Sequence, residues 1–298
     1  MEDSASIPNL PILRGWAPIV FLPTAVVLFT PVEWPRWLFM WLLAIALFAG
    51  CKWLTWRRTP VAKASWQRQA GFLLAWPGLD AKAFLQTSFP RVPSPTRREW
   101  IAASGKSGIG AVLFFGAARL FPTDRELLMG WVGMVGLVLM LHFGFFHLLS
   151  CVWRSVGVDA QPLMKRPLLS KSLSEFWGTR WNTAFRDLTH QFLFRPLALR
   201  WGPRWAVMIG FLFSGLIHDL VISLPAEGGY GWPTLYFVIQ LVGLLLERSR
   251  IGRKVGLGRG WRGRVFTLLV LAGPAYGLFH PPFVRNVVVP FMTAIGGS

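Results

Sequence analysis

The chain has 298 residues, of which 53% are hydrophobic and only 15% are charged, and its mean hydropathy is +0.46. These values exclude an ordinary soluble domain and indicate a polytopic membrane protein. The net charge of +18 would also suit a nucleic-acid-binding protein, but most Lys and Arg residues lie in three blocks between apolar runs. That distribution is typical of loops facing the cytoplasm, so we expect a lipid bilayer and no nucleic acid as partner.

Seven apolar segments are long enough to cross a hydrocarbon core about 30 Å thick. In chain order they are predicted at about 16–31, 36–54, 107–121, 128–152, 205–223, 230–247 and 265–280. If the N-terminus is cytoplasmic, the three basic loops at 52–106, 153–204 and 248–264 all face the cytoplasm. The acidic N-terminus lacks the basic start of a secretory signal, so the first apolar stretch is predicted to be a retained helix. A bacterial cytoplasmic membrane is the expected location, with the endoplasmic reticulum as the alternative.

Residues 71–86 and 172–197 mix Trp, Phe and Leu with Lys and Arg, which favours interfacial or re-entrant helices on the cytoplasmic side. The tail, residues 281–298, is broken by three prolines and is either an eighth span or an interfacial segment. The fold class predicted is therefore all-α, a polytopic helical bundle with about seven to eight transmembrane helices in a single domain over 1–298. The oligomeric state is open.

Ionisable side chains inside apolar spans are costly, so they are candidates for function. His218 and Asp219 lie in the fifth predicted span, and an imidazole there suits a general base that deprotonates an alcohol. Ser214, four residues earlier, would share its helix face, and Gly215 would allow close approach by another helix or a substrate. The alternative is a histidine that only hydrogen-bonds between helices.

Other chemistries have weaker support in the sequence. His142 and His147 are five residues apart and do not share a helix face as a zinc pair would, so no metal site is predicted. Phosphate-loop, dinucleotide-binding and nucleophilic-serine motifs are absent from the sequence. Covalent catalysis by Ser or Cys is therefore not expected.

The stretch SKSLSEFWGTRWN, residues 170–182, contains many hydrogen-bonding groups for a chain this apolar. Trp177 and Trp181 are one helical turn apart, with Arg180 between them, and Arg186 lies one turn after Asn182. A helix here would carry an aromatic face beside cationic groups. An interfacial belt of Trp and Arg accounts for those residues, but it does not account for Asn182, whose amide can donate and accept at once.

These residues resemble a known family. SEFWGTRWNTAFRDLTHQFLFRPL, residues 174–197, resembles the FWGRRWN segment of wax synthases in the membrane-bound O-acyltransferase superfamily, and FSGLIHDL, residues 213–220, resembles that family's SGLxHE segment. Both occur in the family's order within a motif-bearing region at 165–225. The chain departs from the family in having Asp219 where Glu is usual and in being short for the superfamily.

The resemblance implies an all-α bundle with a tunnel in which acyl-CoA from the cytosol meets an alcohol from the membrane. It assigns His218 as the catalytic base and Asn182 as the polar residue that works with it. It also implies that the surrounding residues support the site or form the acyl-CoA entrance. We place in this group Phe176, Trp177, Arg180, Trp181, Arg186, Ser214 and Asp219.

The expected activity is acyl transfer from acyl-CoA, as co-substrate and without a permanently bound cofactor, to the hydroxyl of a lipophilic alcohol. A long-chain alcohol, a sterol, diacylglycerol or a hydroxylated metabolite could each be the acceptor. A transporter or channel, with His218 and Asp219 in a substrate or proton path, is the alternative from another class. A non-catalytic membrane scaffold is a third.

Overall fold

The computed structural model describes residues 15–60, 64–86 and 92–297, and the helices account for most of them. We number the helices α1 to α14 in chain order. They are α1 Ala17–Phe29, α2 Arg36–Arg58, α3 Trp66–Ala75, α4 Ala81–Leu85, α5 Arg97–Leu120, α6 Glu126–Ser155, α7 Leu173–Glu175, α8 Thr183–Thr189, α9 Arg195–Trp201, α10 Pro203–Ala226, α11 Trp232–Arg248, α12 Arg250–Val255, α13 Gly260–Leu278 and α14 Pro281–Ala294. The described residues contain no strand, so the predicted all-α class is confirmed.

Fewer helices than predicted are long and apolar enough to cross a membrane. Among the described residues four qualify, α2, α5, α6 and α10, and α13 with α14 makes a fifth if that bent pair is one span. The predicted number of seven to eight spans is therefore too high. Helix α1 has only 13 residues, or about 20 Å, and α11 has 17 and ends in Glu247 and Arg248.

The C-terminal segment folds as a helix inside the bundle. Helix α14 begins at Pro281 and meets α13 at an angle of 61°, as expected where consecutive prolines start a new helix. Its residues Val284, Val287 and Met292 are fully buried against α5 and α6. The segment is thus part of the core, either as half of a broken span or as a re-entrant helix.

A second apolar cluster lies at the other end of the bundle. It joins the end of α2 to the short helices α3 and α4 and to α6 and α8. The stretch 71–86, predicted to form interfacial or re-entrant helix, is divided between α3 and α4 by the non-helical residues 76–80. Asp80 starts α4 by accepting a hydrogen bond from the Ala83 N–H at 2.9 Å.

Among the residues that the structure describes, five stretches are π-helical. Three of them contain residues discussed above as candidates for function: Leu139–Phe145 within α6, Phe176–Arg180 directly after α7, and Asp219–Ser223 within α10. The other two are His190–Phe194 and Val284–Val288. Because a π-turn adds one residue to a helical turn, it rotates the side chains that follow it, and such turns are frequent at functional sites.

Candidate active site

His218 lies in the middle of α10, immediately before the π-helical turn Asp219–Ser223. Its Nδ1 is 2.7 Å from the backbone oxygen of Ser214. A carbonyl oxygen can only accept a hydrogen bond, so Nδ1 carries the proton and Nε2 holds the free lone pair. Nε2 has no hydrogen-bond partner among the described residues, which leaves it available as a base.

The Asp219 side chain has a structural role, because it caps α11. Its carboxylate accepts hydrogen bonds from the Gly231 N–H at 2.7 Å and from the Thr234 N–H at 3.0 Å, and the Thr234 hydroxyl also donates to it. These backbone groups lie at the start of α11, where N–H groups have no partner within the helix. A negative charge is also favourable there. Asp219 therefore fixes α11 beside His218.

Gly215 lets α10 and α11 come into close contact. A Cβ atom at Gly215 would lie 2.8 Å from the Thr234 Cα, closer than side chains tolerate. The predicted close approach is therefore to another helix. The same approach brings the Phe237 ring to 4.6 Å from the His218 ring, measured between centroids.

A buried hydrogen-bonded group extends from Asp219 to the start of α14. Ser223 is fully buried, and its hydroxyl lies 3.0 Å from Asp219 Oδ1 and 3.1 Å from His280 Nε2. His280 Nδ1 accepts from the Phe283 N–H at 3.2 Å, so its proton is on Nε2. The group joins α10, α11 and α14 into one unit around His218.

The three serines of the motif segment have structural roles. The Ser170 hydroxyl donates to the Pro167 oxygen at 2.6 Å, and the Ser172 hydroxyl accepts from the Glu175 N–H at 2.9 Å as the N-cap of α7. Ser174 is bound by Glu247, a buried residue at the end of α11. Turn closure and helix capping therefore account for all three serines.

Glu247 satisfies the remaining donors at the start of α7. Its carboxylate accepts from the Leu173 N–H at 2.5 Å, from the Ser174 N–H at 3.2 Å and from the Ser174 hydroxyl at 2.7 Å. Together with Ser172, it provides partners for the first three N–H groups of α7. Sequence reasoning missed Glu247, although an acidic residue at the end of an apolar run is a signal that could have found it.

The motif segment is not one continuous helix. Helix α7 passes into the π-helical turn Phe176–Arg180, Trp181 is extended, and Asn182 has a left-handed backbone with φ of 39° before α8 begins. The prediction that Trp177 and Trp181 share a helix face is therefore wrong, because the helix ends between them at Arg180. Trp181 instead stacks on Phe176 at 5.4 Å and 14° between ring planes.

Trp177 connects the motif segment with the His218 helix pair. Its ring lies 5.8 Å from Phe237 of α11 and 5.8 Å from Phe211 of α10. Since Phe237 also contacts His218, an unbroken series of ring contacts runs from His218 through Phe237 and Trp177 to Phe176. The buried Trp177 Nε1 has no hydrogen-bond partner among the described residues.

Asn182 caps α8 with its side chain. Its Oδ1 accepts from the Phe185 N–H at 3.2 Å, while its own N–H donates to Met164 Sδ at 3.2 Å. The amide Nδ2 has no partner within the described ranges and stays free to donate. No hydrogen bond joins Asn182 to His218 in the described part of the chain. The two residues are connected through the ring contacts: the series from His218 to Phe176 continues to Trp181, which precedes Asn182.

The two motif arginines bind the segment itself. Arg180 forms an ion pair with Glu175 at 2.6 Å and also donates to the Lys165 oxygen. Arg186 pairs with its neighbour Asp187 at 2.5 Å and donates to the Gly178 oxygen at 2.9 Å. Both thus hold the backbone around the π-helical turn.

The pKa of Glu175 lies below its ordinary value. The main cause is the hydrogen bond that the Lys171 N–H donates to its carboxylate, and the hydrogen bond and charge of Arg180 add to it. Partial burial of the carboxyl group opposes the shift. Glu175 is therefore ionised across the neutral range and keeps Arg180 in place.

His142 and His147 lie on α6, away from the ring contacts of His218. His147 Nδ1 is 3.3 Å from Lys106 Nζ, while His142 packs against Phe146 at 5.2 Å. One further ring, Phe143, reaches Trp181 at 6.1 Å. Among the described residues, no group of three or more His, Cys, Asp or Glu could hold a metal ion.

The fold and the site together define the class of the protein as an all-helical membrane protein with a histidine, His218, packed between two of its helices. Residues 160–239 match the sequence profile of the Membrane bound O-acyl transferase family. That range contains both segments on which the resemblance was based. The predicted resemblance to the wax-synthase branch is confirmed by this match and by the curated relatives.

Three of those relatives are plant enzymes. The chain is 31% identical over 146 residues to a long-chain-alcohol O-fatty-acyltransferase from Simmondsia chinensis, covering 45% of this chain and 41% of the relative. It is 30% identical over 146 residues to "Probable long-chain-alcohol O-fatty-acyltransferase 9" from Arabidopsis thaliana, covering 44% and 42%. It is 26% identical over 144 residues to "Acyl-CoA--sterol O-acyltransferase 1" from Arabidopsis thaliana, covering 44% and 41%. The match thus spans about two fifths of the length of these relatives.

Proposed function

We propose that the chain is a membrane O-acyltransferase that moves a fatty acyl group from acyl-CoA to the hydroxyl of a lipophilic alcohol. One observation carries the proposal: the Ser214 carbonyl fixes the proton of His218 on Nδ1 and leaves Nε2 free, within the segment that matches an acyltransferase family. The names of the relatives support alcohols and sterols as acceptor classes.

In the proposed mechanism, His218 Nε2 takes the proton of the acceptor hydroxyl as the oxygen attacks the thioester carbonyl. The new ester bond forms, the bond between the carbonyl carbon and sulfur breaks, and the imidazolium returns the proton to the departing thiolate. Its Nδ1–H keeps the hydrogen bond to the Ser214 oxygen throughout. The reaction balances without a covalent acyl-enzyme and without a further cofactor.

Asn182 is proposed as a donor to the thioester oxygen. Its Oδ1 is occupied by the cap of α8, which fixes the orientation of the amide and leaves Nδ2 to donate. Loss of one such donor commonly lowers kcat by about a hundredfold to a thousandfold. The rings of Phe176, Trp177 and Phe237 are proposed to line one side of the cavity in which Asn182 and His218 meet the thioester.

The other predicted site residues have supporting roles in this proposal. Asp219 and Ser214 orient α11 and His218, while Arg180 and Arg186 hold the turn before Asn182. We place the whole site in a single domain over residues 1–298.

We place the N-terminus and the three basic loops on the cytoplasmic side, because the positive charges of the sequence concentrate in those loops. This placement requires the shorter helices α1 and α11 to cross the bilayer as well, with α11 returning alongside α10, against which it packs. A bacterial cytoplasmic membrane is the proposed location, although the named relatives are from plants. Acyl-CoA would then approach from the side that carries the basic loops.

The test is release of free CoA from a long-chain acyl-CoA by the purified protein in detergent, with a panel of long-chain alcohols and sterols. The proposal predicts alcohol-dependent CoA release with formation of a labelled ester. His218→Ala should abolish it, and Asn182→Ala should lower kcat by about a hundredfold or more, with both variants still folded and inserted although Asn182→Ala loses the cap of α8. Equal loss in His142→Ala, a matched histidine on α6, would overturn the site assignment.

The same preparation separates the transporter alternative. If folded wild-type protein releases no CoA with any acceptor but carries substrate or protons across liposome membranes, the acyltransferase proposal is wrong. A scaffold would show neither activity, and His218→Ala would change nothing.

A further inference from the structure

A basic patch surrounds the end of α11. It consists of seven exposed cations: Lys171, Arg248, Arg250, Arg253, Lys254, Arg259 and Arg262. No acidic residue occurs between Arg248 and Arg264 in the sequence. Within the described ranges, no carboxylate forms an ion pair with any of the seven. The two nearby acids are occupied, because Glu247 binds α7 and Glu175 binds Arg180.

The patch is packed directly against the start of the motif segment. Gly263 approaches the Lys171 oxygen so closely that a Cβ atom would lie 2.2 Å from it. Arg248 donates from Nε to the Ser174 hydroxyl at 3.1 Å, one turn before Trp177. The glycine-rich stretch VGLGRGWRG, residues 255–263, thus brings its cations to the segment that leads to Trp177 and Asn182.

Charge repulsion among the seven cations is unfavourable without an anionic partner, and Arg is suited to bidentate contacts with phosphate. Polar loops facing the cytoplasm are basic in general. This loop is distinguished by its contact with the candidate site and by its distance from His218.

That distance matches the acyl donor. Phe237 contacts His218, and Arg248 lies eleven residues further along α11, or about 16 Å at 1.5 Å per residue. The pantetheine arm of CoA joins the thioester sulfur to the diphosphate through a chain comparable to about four residues of extended backbone, or about 15 Å. A thioester at His218 therefore places the phosphates at the end of α11.

We propose that the basic patch binds the phosphate groups of the acyl-CoA donor, while the pantetheine arm runs along α11 to His218. This inference rests on the proposed function and identifies the residues that recognise the donor. Headgroups of anionic lipids offer the same phosphate chemistry, and the experiment separates the two sources.

The test compares two triple variants of the full-length protein in nanodiscs of zwitterionic lipid. The patch variant is Arg250→Gln, Arg253→Gln and Lys254→Gln, and the matched control is Lys82→Gln, Arg97→Gln and Arg98→Gln, which removes three exposed cations outside the patch. Each is assayed with a long-chain acyl-CoA and with the same acyl group on N-acetylcysteamine, which has no phosphate.

The patch variant should raise KM for acyl-CoA about tenfold or more, the equivalent of one charge-assisted hydrogen bond, with kcat unchanged. Its KM for the N-acetylcysteamine thioester should equal that of the wild type, and the control variant should match the wild type with both donors. An unchanged KM for acyl-CoA, or an equal rise for both donors, would overturn the proposal. The proposal would also be overturned if wild-type activity depended on added anionic lipid and the patch variant lost only this dependence.

A binding measurement keeps this proposal separate from the proposed function. Titration calorimetry with free CoA, 3′-dephospho-CoA and pantetheine needs no turnover. Wild type and His218→Ala should bind CoA more tightly than pantetheine, and the patch variant should lose that preference. If this result is obtained while no acceptor supports CoA release, the patch assignment stands and the acyltransferase proposal fails. If CoA release is found but the patch variant keeps the preference, only the patch assignment fails.

Discussion

Replacing Glu247 by Ala should destabilise the protein and displace the motif segment. The change removes the acceptor for the N–H groups of Leu173 and Ser174 and for the Ser174 hydroxyl. Leu173 is fully buried, so its N–H stays without a partner, at a cost of about 1–3 kcal/mol. Ser174 is only half-buried and can recruit water, while removal of a buried charge returns part of its desolvation cost. We expect a net loss of about 1–2 kcal/mol in the free energy of unfolding.

The assay is equilibrium unfolding in mixed micelles with increasing denaturing detergent. Glu247→Gln keeps one oxygen acceptor and should lose about half as much. The matched control is Glu227→Gln, because Glu227 is 58% exposed and forms a surface ion pair with Arg36, which is worth less than about 1 kcal/mol. A loss below about 0.5 kcal/mol for Glu247→Ala, or one equal to the control, would refute the assignment of Glu247 as the cap of α7.

Three further variants test the structure around His218 and Asn182. Gly215→Leu should separate α10 from α11, because even its Cβ would lie 2.8 Å from the Thr234 Cα. Thermal unfolding should show that the free energy of unfolding falls by more than about 2 kcal/mol, and unchanged stability would contradict this contact. Asp219→Ala should leave the start of α11 without its cap and lower the free energy of unfolding by about 1–3 kcal/mol, while Asp219→Glu should recover part of that loss. Equal stability of the wild type and both variants would contradict the capping role. Glu175→Gln tests the lowered pKa of this carboxyl group, whose contribution to stability is full above the pKa of the unfolded chain and disappears as pH falls through the lower folded value. The stability difference between wild type and Glu175→Gln should therefore be constant at neutral pH, begin to fall near the ordinary Glu pKa of about 4 and vanish only once the pH is below the lower folded value. A difference that grows in acid would show the opposite sign.

The sequence predicts those features that depend on hydrophobicity and on local pattern. The all-helical membrane class and the family resemblance both follow from the sequence, since the long apolar runs and the FWGTRWN and SGLIHD segments can be read directly from it. The span count is wrong because hydropathy does not register where a helix starts or bends. The short α1 and the break before Pro281 are set by turns and packing.

The arrangement of the site depends on features that a helical period cannot represent. The π-helical turn Phe176–Arg180 and the left-handed backbone of Asn182 place Trp177 and Trp181 on different partners, although their spacing favours one face. Glu247 reaches the motif from more than seventy residues away, so its position at the end of an apolar run marks it as a candidate, but no local pattern identifies the groups that it binds. The roles of His218 and Asn182 stay predictions until activity is measured.

The group that orients His218 belongs to the main chain of Ser214. Every amino acid supplies that oxygen, so exchange of the Ser214 side chain leaves the imidazole tautomer as it is. A substitution scan of this region would therefore show a single indispensable histidine with no acidic partner, and the search for a second member of a dyad would find none. The orienting contact can be altered only through the helix itself, for instance by a proline or an ester linkage that changes the backbone of α10 around this turn.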